Sequence, residues 1–192
     1  MQYFNFGDIF TVTITLFTVI DIIGVLPLLI DLSKNTGNIH PGKAAITALS
    51  IMLLSLFLGE MFLDFIGVTK SSFAVAGGII LFILAMEMVL GRSIIKQSQQ
   101  HTHATALVPV AFPLISGSAT ITTILTLKSQ YNYLAISIAI IINVLIVFLV
   151  LRYLNHLKDR ISESFVFIMR KMFGVMLLAI AVGMITKNLE FN

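Results

Sequence analysis

The sequence predicts an all-α, polytopic membrane protein with six transmembrane helices arranged as two inverted three-helix repeats. Three observations predict this fold: 58% hydrophobic with only 11% charged residues, a succession of long apolar segments, and a weak similarity between the two halves of the chain. A soluble domain carries about 25% charged residues, so this chain has too few charges to cover a surface in water. Residues 1–192 are therefore predicted to form a single transmembrane domain.

A helix needs about 20 mainly apolar residues to cross the hydrocarbon core of a bilayer, and six segments meet or approach this length. The first five spans are predicted at about Ile9–Ile30, Ala44–Phe65, Ser72–Leu90, Ala104–Leu127 and Tyr133–Leu151. The sixth, Met172–Thr186, is shorter, so Arg170 and Lys171 must extend their charged ends towards the interface. Residues 161–169 before it are predicted as an amphipathic approach along the membrane surface.

Most basic residues fall on one side of the predicted helices, which sets the orientation by the positive-inside rule. The loops after spans 1, 3 and 5 contain nine of the 12 lysines and arginines. The other three are Lys70, Lys128 and Lys187, in the remaining loops and the C-terminal segment. This bias predicts a bacterial-type inner membrane protein with both termini outside the cytoplasm. Because the basic residues lie at helix ends and form no patch, no nucleic-acid partner is expected.

The two halves of the chain show internal similarity. Two pairs of segments align at shifts of 95 and 96, namely residues 17–27 with 112–122 and residues 78–85 with 174–181. We interpret this as a duplication, with repeat 1 at about 1–95 and repeat 2 at about 104–192. Because each unit has an odd number of spans, the second copy enters the membrane from the opposite face, as in many secondary transporters.

Spans 1 and 4, the equivalent helices of the two repeats, are predicted to be broken near the middle of the membrane. Three of the four prolines, Pro27, Pro109 and Pro113, lie in them, and Gly24 and Gly117 lie nearby. An interior proline removes a backbone donor and crowds an earlier carbonyl group, and an unsatisfied backbone group is costly in lipid. Such breaks are tolerated where they line a cavity, although a simple kink that improves helix packing is the alternative.

Polar residues accompany both predicted breaks. Asp21 lies about halfway along span 1, where it meets a substrate ammonium group or a coupling cation, or only caps the half-helix that follows it. Beyond the break in span 4, small hydroxyl residues begin a helix whose free N–H groups favour an anion, with close helix packing as the alternative. The predicted substrate-binding residues are Asp21, Gly24, Pro27, Pro113, Ser116, Gly117, Ser118, Thr120, Thr122 and Thr123.

Four further features have weaker claims to a role in transport. Glu60 and Glu87, near the ends of spans 2 and 3, are candidates for ion coupling together with Asp21, or simply face the interface. Asn143, midway along span 5, and the run Ala76–Gly78 in span 3 are interpreted as residues that pack helices together.

Enzyme chemistry has little support in the sequence. There is no cysteine, and all four histidines fall in the loops on the predicted cytoplasmic side. The sequence therefore predicts no catalytic residue, no metal site and no cofactor other than Na⁺ or H⁺ as a coupling ion. Ser118 after Gly117 is faintly similar to the nucleophile of an intramembrane serine protease, but that chemistry needs a histidine base inside the membrane.

These segments resemble the MarC family of small six-span inner-membrane proteins, which is related to the LysE-type exporters. The resemblance covers nearly the whole chain and is carried by Val19–Pro27, Ala76–Phe82 with Glu87, Val108–Gly117 and Ile121–Thr123. The common family pattern in span 1 is Asp-Pro-Ile-Gly-Asn-x-Pro, in which Ile22 and Val25 here replace the first proline and the asparagine. Where the family has Gly-Pro-Gly-Ala in span 4, this chain has Gly-Ser-Ala-Thr at residues 117–120.

For some members, the resemblance implies ion-coupled transport of small neutral amino acids. The first interpretation is therefore a secondary transporter of small neutral amino acids or similar small metabolites, and the two predicted repeats favour alternating access. Its expected partners are the small-molecule substrate and the lipid bilayer. Two alternatives from other classes are an intramembrane enzyme and a non-transporting membrane assembly partner. The broken helices and Asp21 would be an unexplained cost in an assembly partner.

Overall fold

The computed structural model describes residues 6–22, 24–27, 29–30, 33, 40–91, 115–157 and 162–189. Within these residues the secondary structure is entirely helical, as predicted. The helices are α1 (Phe6–Ile20), α2 (Pro41–Phe65), α3 (Lys70–Leu90), α4 (Ser118–Leu127), α5 (Tyr133–Leu157) and α6 (Glu163–Asn188).

Four of these helices, α2, α3, α5 and α6, are long and apolar enough to cross a membrane. The other two, α1 and α4, are shorter apolar helices of 15 and 10 residues. They correspond to the first part of predicted span 1 and the last part of predicted span 4. Residues 104–114 of span 4 lie outside the described residues.

Large apolar side chains cover the outside of the helices. Phe10, Met61 and Phe65 are 67%, 65% and 85% exposed. A protein in water rarely presents apolar patches of this extent, whereas side chains of this kind suit the hydrocarbon of a bilayer. The exposed surface therefore agrees with the apolar composition in indicating lipid as the surrounding medium.

Helix α6 differs from its prediction. The sequence predicts a short span from Met172 with an interfacial segment before it, whereas one helix of 26 residues runs through both. Ser162 caps this helix by accepting a hydrogen bond from the backbone N–H of Phe165 at 3.3 Å. The cap starts the helix about two and a half turns before the apolar stretch begins. Lys171 extends back towards that start, with Nζ 4.9 Å from the ring centroid of Phe167.

The predicted break in span 1 is present, and in span 4 a helix starts where the second break is predicted, with residues 104–114 before it outside the described residues. Helix α1 ends at Ile20, and Asp21 has a φ of +44°, in the left-handed region that costs about 1–2 kcal/mol for residues other than glycine. Helix α4 begins at Ser118 after an extended Gly117. A shift of 95 relates Asp21 to Ser116, so the two breaks lie within two residues of equivalent positions.

The most extensive helix contact joins α3 and α6, which are the third helices of the two predicted repeats. A Cβ atom at Gly78 would lie 2.8 Å from Ile185, and one at Gly174 would lie 3.0 Å from Val89. The helices therefore run antiparallel, and each contributes one glycine at which the other approaches closely. The shift of 96 that relates Gly78 to Gly174 also relates Val89 to Ile185. Reciprocal contacts of this kind are the geometry that an inverted repeat produces.

Helix α5 packs against both α1 and α2, and Asn143 links it to α1. The Asn143 side chain is 1% exposed, and its Nδ2 donates to the carbonyl groups of Thr13 at 3.1 Å and Ala139 at 2.9 Å. The fully buried Leu16 and Met52 belong to the apolar core of these helices. The predicted role of Asn143 in helix packing is confirmed.

The loops after α2 and α4 lie at the same end of the bundle. Glu60 forms ion pairs with Lys70 at 2.6 Å and with Lys128 at 2.9 Å. Lys128 lies over the ring of Tyr133, which stacks on Phe57. The sequence predicts these two loops on one side of the membrane, and the ion pairs place them together. That this side faces away from the cytoplasm stays a prediction.

Candidate functional site

A cavity of about 380 Å³ lies where the two broken spans meet α3 and α6. Its walls come from the end of α1, the first half of α3, the first turns of α4 and the second half of α6. Sites for small molecules have volumes of about 300–1,000 Å³, so this cavity suits a ligand at the small end of that range.

Asp21 lines the cavity at the break after α1. Its Oδ1 accepts a hydrogen bond from the backbone N–H of Gly24 at 3.2 Å, and its carbonyl group accepts one from Val25 at 3.2 Å. The carboxylate therefore caps the segment that follows it, as one of the two interpretations of the sequence expects. Its Oδ2 is buried and has no hydrogen-bond partner among the described residues. A buried polar atom without a partner is costly, which makes this oxygen a candidate contact for a ligand.

Gly24 contributes to the site by having no side chain. A Cβ atom at this position would overlap the carboxylate of Asp21. Glycine therefore leaves room for the carboxylate in its capping position. Pro27 lies elsewhere: it lines a separate apolar groove of about 430 Å³ that is formed with α5 and α6.

Helix α4 presents its first turn to the cavity. Its N-cap residue is Gly117, which has no side chain to cap the helix, and the Gly117 carbonyl accepts the N–H of Ile121 at 2.9 Å. The first N–H groups of a helix have no partner within the helix, and together with the helix dipole they favour an anion. Gly117, Ser118 and Ala119 line the cavity, so this positive helix end faces the same space as the Asp21 carboxylate.

The hydroxyl residues of α4 have different roles. Thr120 donates from Oγ1 to the carbonyl group of Ile115 at 3.0 Å, which closes the turn before the helix. Thr122 Oγ1 is buried without a hydrogen-bond partner among the described residues. Both threonines and Thr123 line the cavity, whereas Ser116 is fully buried and does not.

The predicted site residues thus fall into three groups. Those that the structure brings together around the cavity are Asp21, Gly117, Ser118, Thr120, Thr122 and Thr123. Gly24, Pro27 and Ser116 lie outside its lining, and Pro113 lies outside the described residues.

The two glutamates predicted as candidates for ion coupling do not line the cavity. Glu60 is held by Lys70 and Lys128 at the end of the bundle, and its hydrogen bond raises the pKa of Lys128. Glu87 is in the last turn of α3, where its carbonyl group accepts the N–H of Gly91 at 2.9 Å. A role for either glutamate in ion coupling stays a prediction.

Sequence reasoning missed the walls that α3 and α6 contribute. Gly77 lines the cavity, as do Leu177 and Asn188 of α6. The interpretation of Ala76–Gly78 as a packing face is right for Gly78, which faces α6, but it overlooks the position of Gly77 on the cavity. In the sequence, the pair Gly77–Gly78 was the signal that could have indicated this wall of the cavity. The face that each glycine presents depends on how the helices pack.

Comparisons with known proteins identify the family. The family model described as "MarC family integral membrane protein" matches residues 6–191. A UPF0056 membrane protein of Methanocaldococcus jannaschii is 29% identical, covering 92% of this chain and 93% of that protein. One of Archaeoglobus fulgidus is 30% identical over 91% and 89% of the two chains, and UPF0056 membrane protein YhcE of Escherichia coli is 26% identical over 98% and 94%.

No solved structure matches the chain. The family match extends over α1 to α6 and includes both helix breaks and the cavity between them. The chain therefore belongs to the MarC family of integral membrane proteins.

Proposed function

We propose that this protein is a secondary transporter that binds small zwitterionic molecules, with neutral amino acids as the first candidates, in the cavity between its two broken spans. One observation carries the proposal: a carboxylate with an unpartnered oxygen and the uncapped start of a helix line the same small cavity. Asp21 meets the ammonium group of the substrate, and the first N–H groups of α4 meet its carboxylate. The resemblance to the MarC family implies the same class of substrate for some members.

The rest of the cavity limits what fits beside these two groups. Leu81, Leu177 and Ile180 contribute apolar wall, which disfavours a second charge on the substrate because burying an unpaired charge is costly. The volume of about 380 Å³ favours small molecules. A neutral amino acid with a short side chain meets both conditions.

Transport by alternating access fits the arrangement of the two repeats. The reciprocal contacts of α3 and α6 give the halves of the protein equivalent positions on either side of one seam, and the cavity lies beside it. One half rocks against the other and exposes the cavity to each side in turn. A gradient of Na⁺ or H⁺ drives the cycle, with Asp21 as the residue that senses the ion.

The experiment is uptake of labelled alanine and glycine into proteoliposomes that contain the purified protein. Uptake should respond to a Na⁺ or H⁺ gradient and should be lost in Asp21→Asn and Ser118→Leu. The matched control is Asp8→Asn, because Asp8 is an aspartate in the first turn of the same helix and does not line the cavity. Asp8→Asn should transport like the natural protein.

Equal flux into empty and protein-containing liposomes would reject the amino-acid assignment. Uptake that survives in Asp21→Asn at the level of Asp8→Asn would reject the site. In the first case, other small metabolites would be the next substrates to try, before an intramembrane enzyme or an assembly partner is considered.

A further inference from the structure

Two consecutive glycines of α3 face two different helices. A Cβ atom at Gly78 would meet Ile185 and the carbonyl group of Ala181 on α6, whereas a Cβ atom at Gly77 would meet Ser118 on α4. Of the two glycines, Gly77 lines the cavity. The glycine pair therefore lets α3 approach α6 on one side and the start of α4 on the other.

The contact between Gly77 and Ser118 leaves no space for even a methyl group. The hydroxyl oxygen of Ser118 occupies the position of a Cβ atom at residue 77, and the Cβ atom of Ser118 would overlap it as well. Rotation of the hydroxyl group does not relieve the overlap, because the Cβ atom of Ser118 stays in place. The next atom, the Cα of Ser118, is 3.5 Å away, which is an ordinary van der Waals contact.

Helix α4 is held at its other end too. A Cβ atom at Gly59 of α2 would lie 3.0 Å from the side chain of Leu125, so α2 packs closely against the last turn of α4. A methyl group at residue 77 would therefore displace the start of α4 while its end is retained. The start of α4 lines the same cavity as Asp21.

We propose that Gly77 is a specificity-determining residue of the transport site. It positions the first turn of α4 relative to Asp21 and so sets the space that the cavity leaves for the side chain of the substrate. The inference rests on the proposed function, because it concerns the same cavity. Gly77 acts through Ser118, and its role is one of positioning.

The test is the ratio of glycine uptake to alanine uptake in proteoliposomes, because a ratio does not depend on how much of the protein is folded. Gly77→Ala should change this ratio by roughly tenfold in favour of glycine, the low end of the effect of one methyl group in an apolar pocket. Displacement of binding groups by about 1 Å also lowers the absolute rate. Gly78→Ala is the matched control: it disturbs packing against α6 beside Met184, a residue of the cavity wall, without touching α4, and should change the ratio less than Gly77→Ala does.

Two double variants make the test specific to the contact. Ser118→Gly removes both overlapping atoms, so Gly77→Ala with Ser118→Gly should have the ratio of Ser118→Gly alone. Ser118→Ala keeps the overlapping Cβ atom, so Gly77→Ala with Ser118→Ala should keep the altered ratio of Gly77→Ala. This difference between glycine and alanine at residue 118 is not expected if Gly77 only supports the fold.

Three outcomes would overturn the inference. The ratio in Gly77→Ala could equal that of the natural protein, the double variant Gly77→Ala with Ser118→Gly could differ in ratio from Ser118→Gly alone, or Gly78→Ala could change the ratio as much as Gly77→Ala does. Each of these would leave the transporter proposal standing. If the natural protein took up neither substrate, the proposed function would fail and the inference would fall with it.

Discussion

The two broken spans interrupt their helices at nearly equivalent positions but present opposite chemistry to the cavity. In the first repeat the break follows the end of α1, and the residue at the break is an acid in the left-handed region. In the second repeat the break precedes the start of α4, and its cap is Gly117, without a carboxylate. One break therefore offers a carboxyl group, and the other offers the positive end of a helix dipole.

Under the proposed function, this difference gives the site two unlike ends. Two identical breaks would present the same kind of group twice and would suit a symmetric ligand. Here the carboxylate of Asp21 already uses one oxygen to cap its own chain at Gly24, while the start of α4 has no side-chain cap. The unsatisfied groups that remain, an acceptor on one side and donors on the other, match a molecule that carries both an ammonium group and a carboxylate.

The largest effect on uptake is expected when a carboxylate like that of Asp21 is introduced at the second break. Ala119 lies in the first turn of α4 and lines the cavity, so Ala119→Asp places a carboxylate where the substrate carboxylate is proposed to bind. Two like charges 4 Å apart repel by about 4 kcal/mol at an effective dielectric constant of 20, so uptake of neutral amino acids should fall by at least tenfold. An acid in the first turn favours the helix itself, so the protein should still fold.

The control for this variant is Ala119→Asn, which has the same shape without the charge. The measurement is the initial rate of alanine uptake in proteoliposomes for the two variants side by side. A rate that is equally low in both would show that the size of the new side chain matters and its charge does not, and the start of α4 would then lose its role as an anion site.

A smaller effect is expected at the first break from Gly24→Ala. The new Cβ atom would overlap the Asp21 carboxylate, and overpacking of this kind costs about 1–3 kcal/mol. The melting temperature in detergent should fall, and uptake should fall with it because the carboxylate must move. Gly42→Ala is the control, since a Cβ atom at Gly42 meets nothing within 4 Å. Equal melting temperatures for Gly24→Ala and Gly42→Ala would contradict the packing of Gly24 against Asp21.

The contrast between the two breaks also shows which parts of the site sequence patterns reveal. Proline, glycine and polar residues inside apolar segments are local signals, and they predict both breaks and the position of Asp21. The sequence predicts span 6 only from Met172 because hydropathy falls at Arg170 and Lys171, whereas the Ser162 cap starts the helix earlier. The cavity position of Gly77 depends on which face of α3 meets α4, and no local pattern fixes that.

The smallest effect is expected from Glu60→Gln, at the end of the bundle and outside the cavity lining. The Glu60 and Lys70 side chains are 36% and 46% exposed, and pairs of this kind contribute about 0.2–1 kcal/mol. Melting temperature should therefore fall only slightly, and the ratio of glycine uptake to alanine uptake should not change. A changed ratio would link Glu60 to the cavity and support its predicted role in ion coupling.

The pH dependence of this cluster has a definite sign. Its hydrogen bond to Glu60 raises the pKa of Lys128 above the ordinary value of 10.5. A raised lysine pKa contributes stability that is complete below the unfolded pKa and is lost as pH rises through the folded pKa. An unfolded lysine has a pKa of about 10.4, so Lys128 stays charged between pH 6 and pH 9. Over this range, titration of Lys128 should not reduce the difference in melting temperature between Glu60→Gln and the natural protein. This difference should shrink only in strongly alkaline buffer, where Lys128 loses its proton and the natural protein loses the Glu60–Lys128 ion pair that Glu60→Gln already lacks.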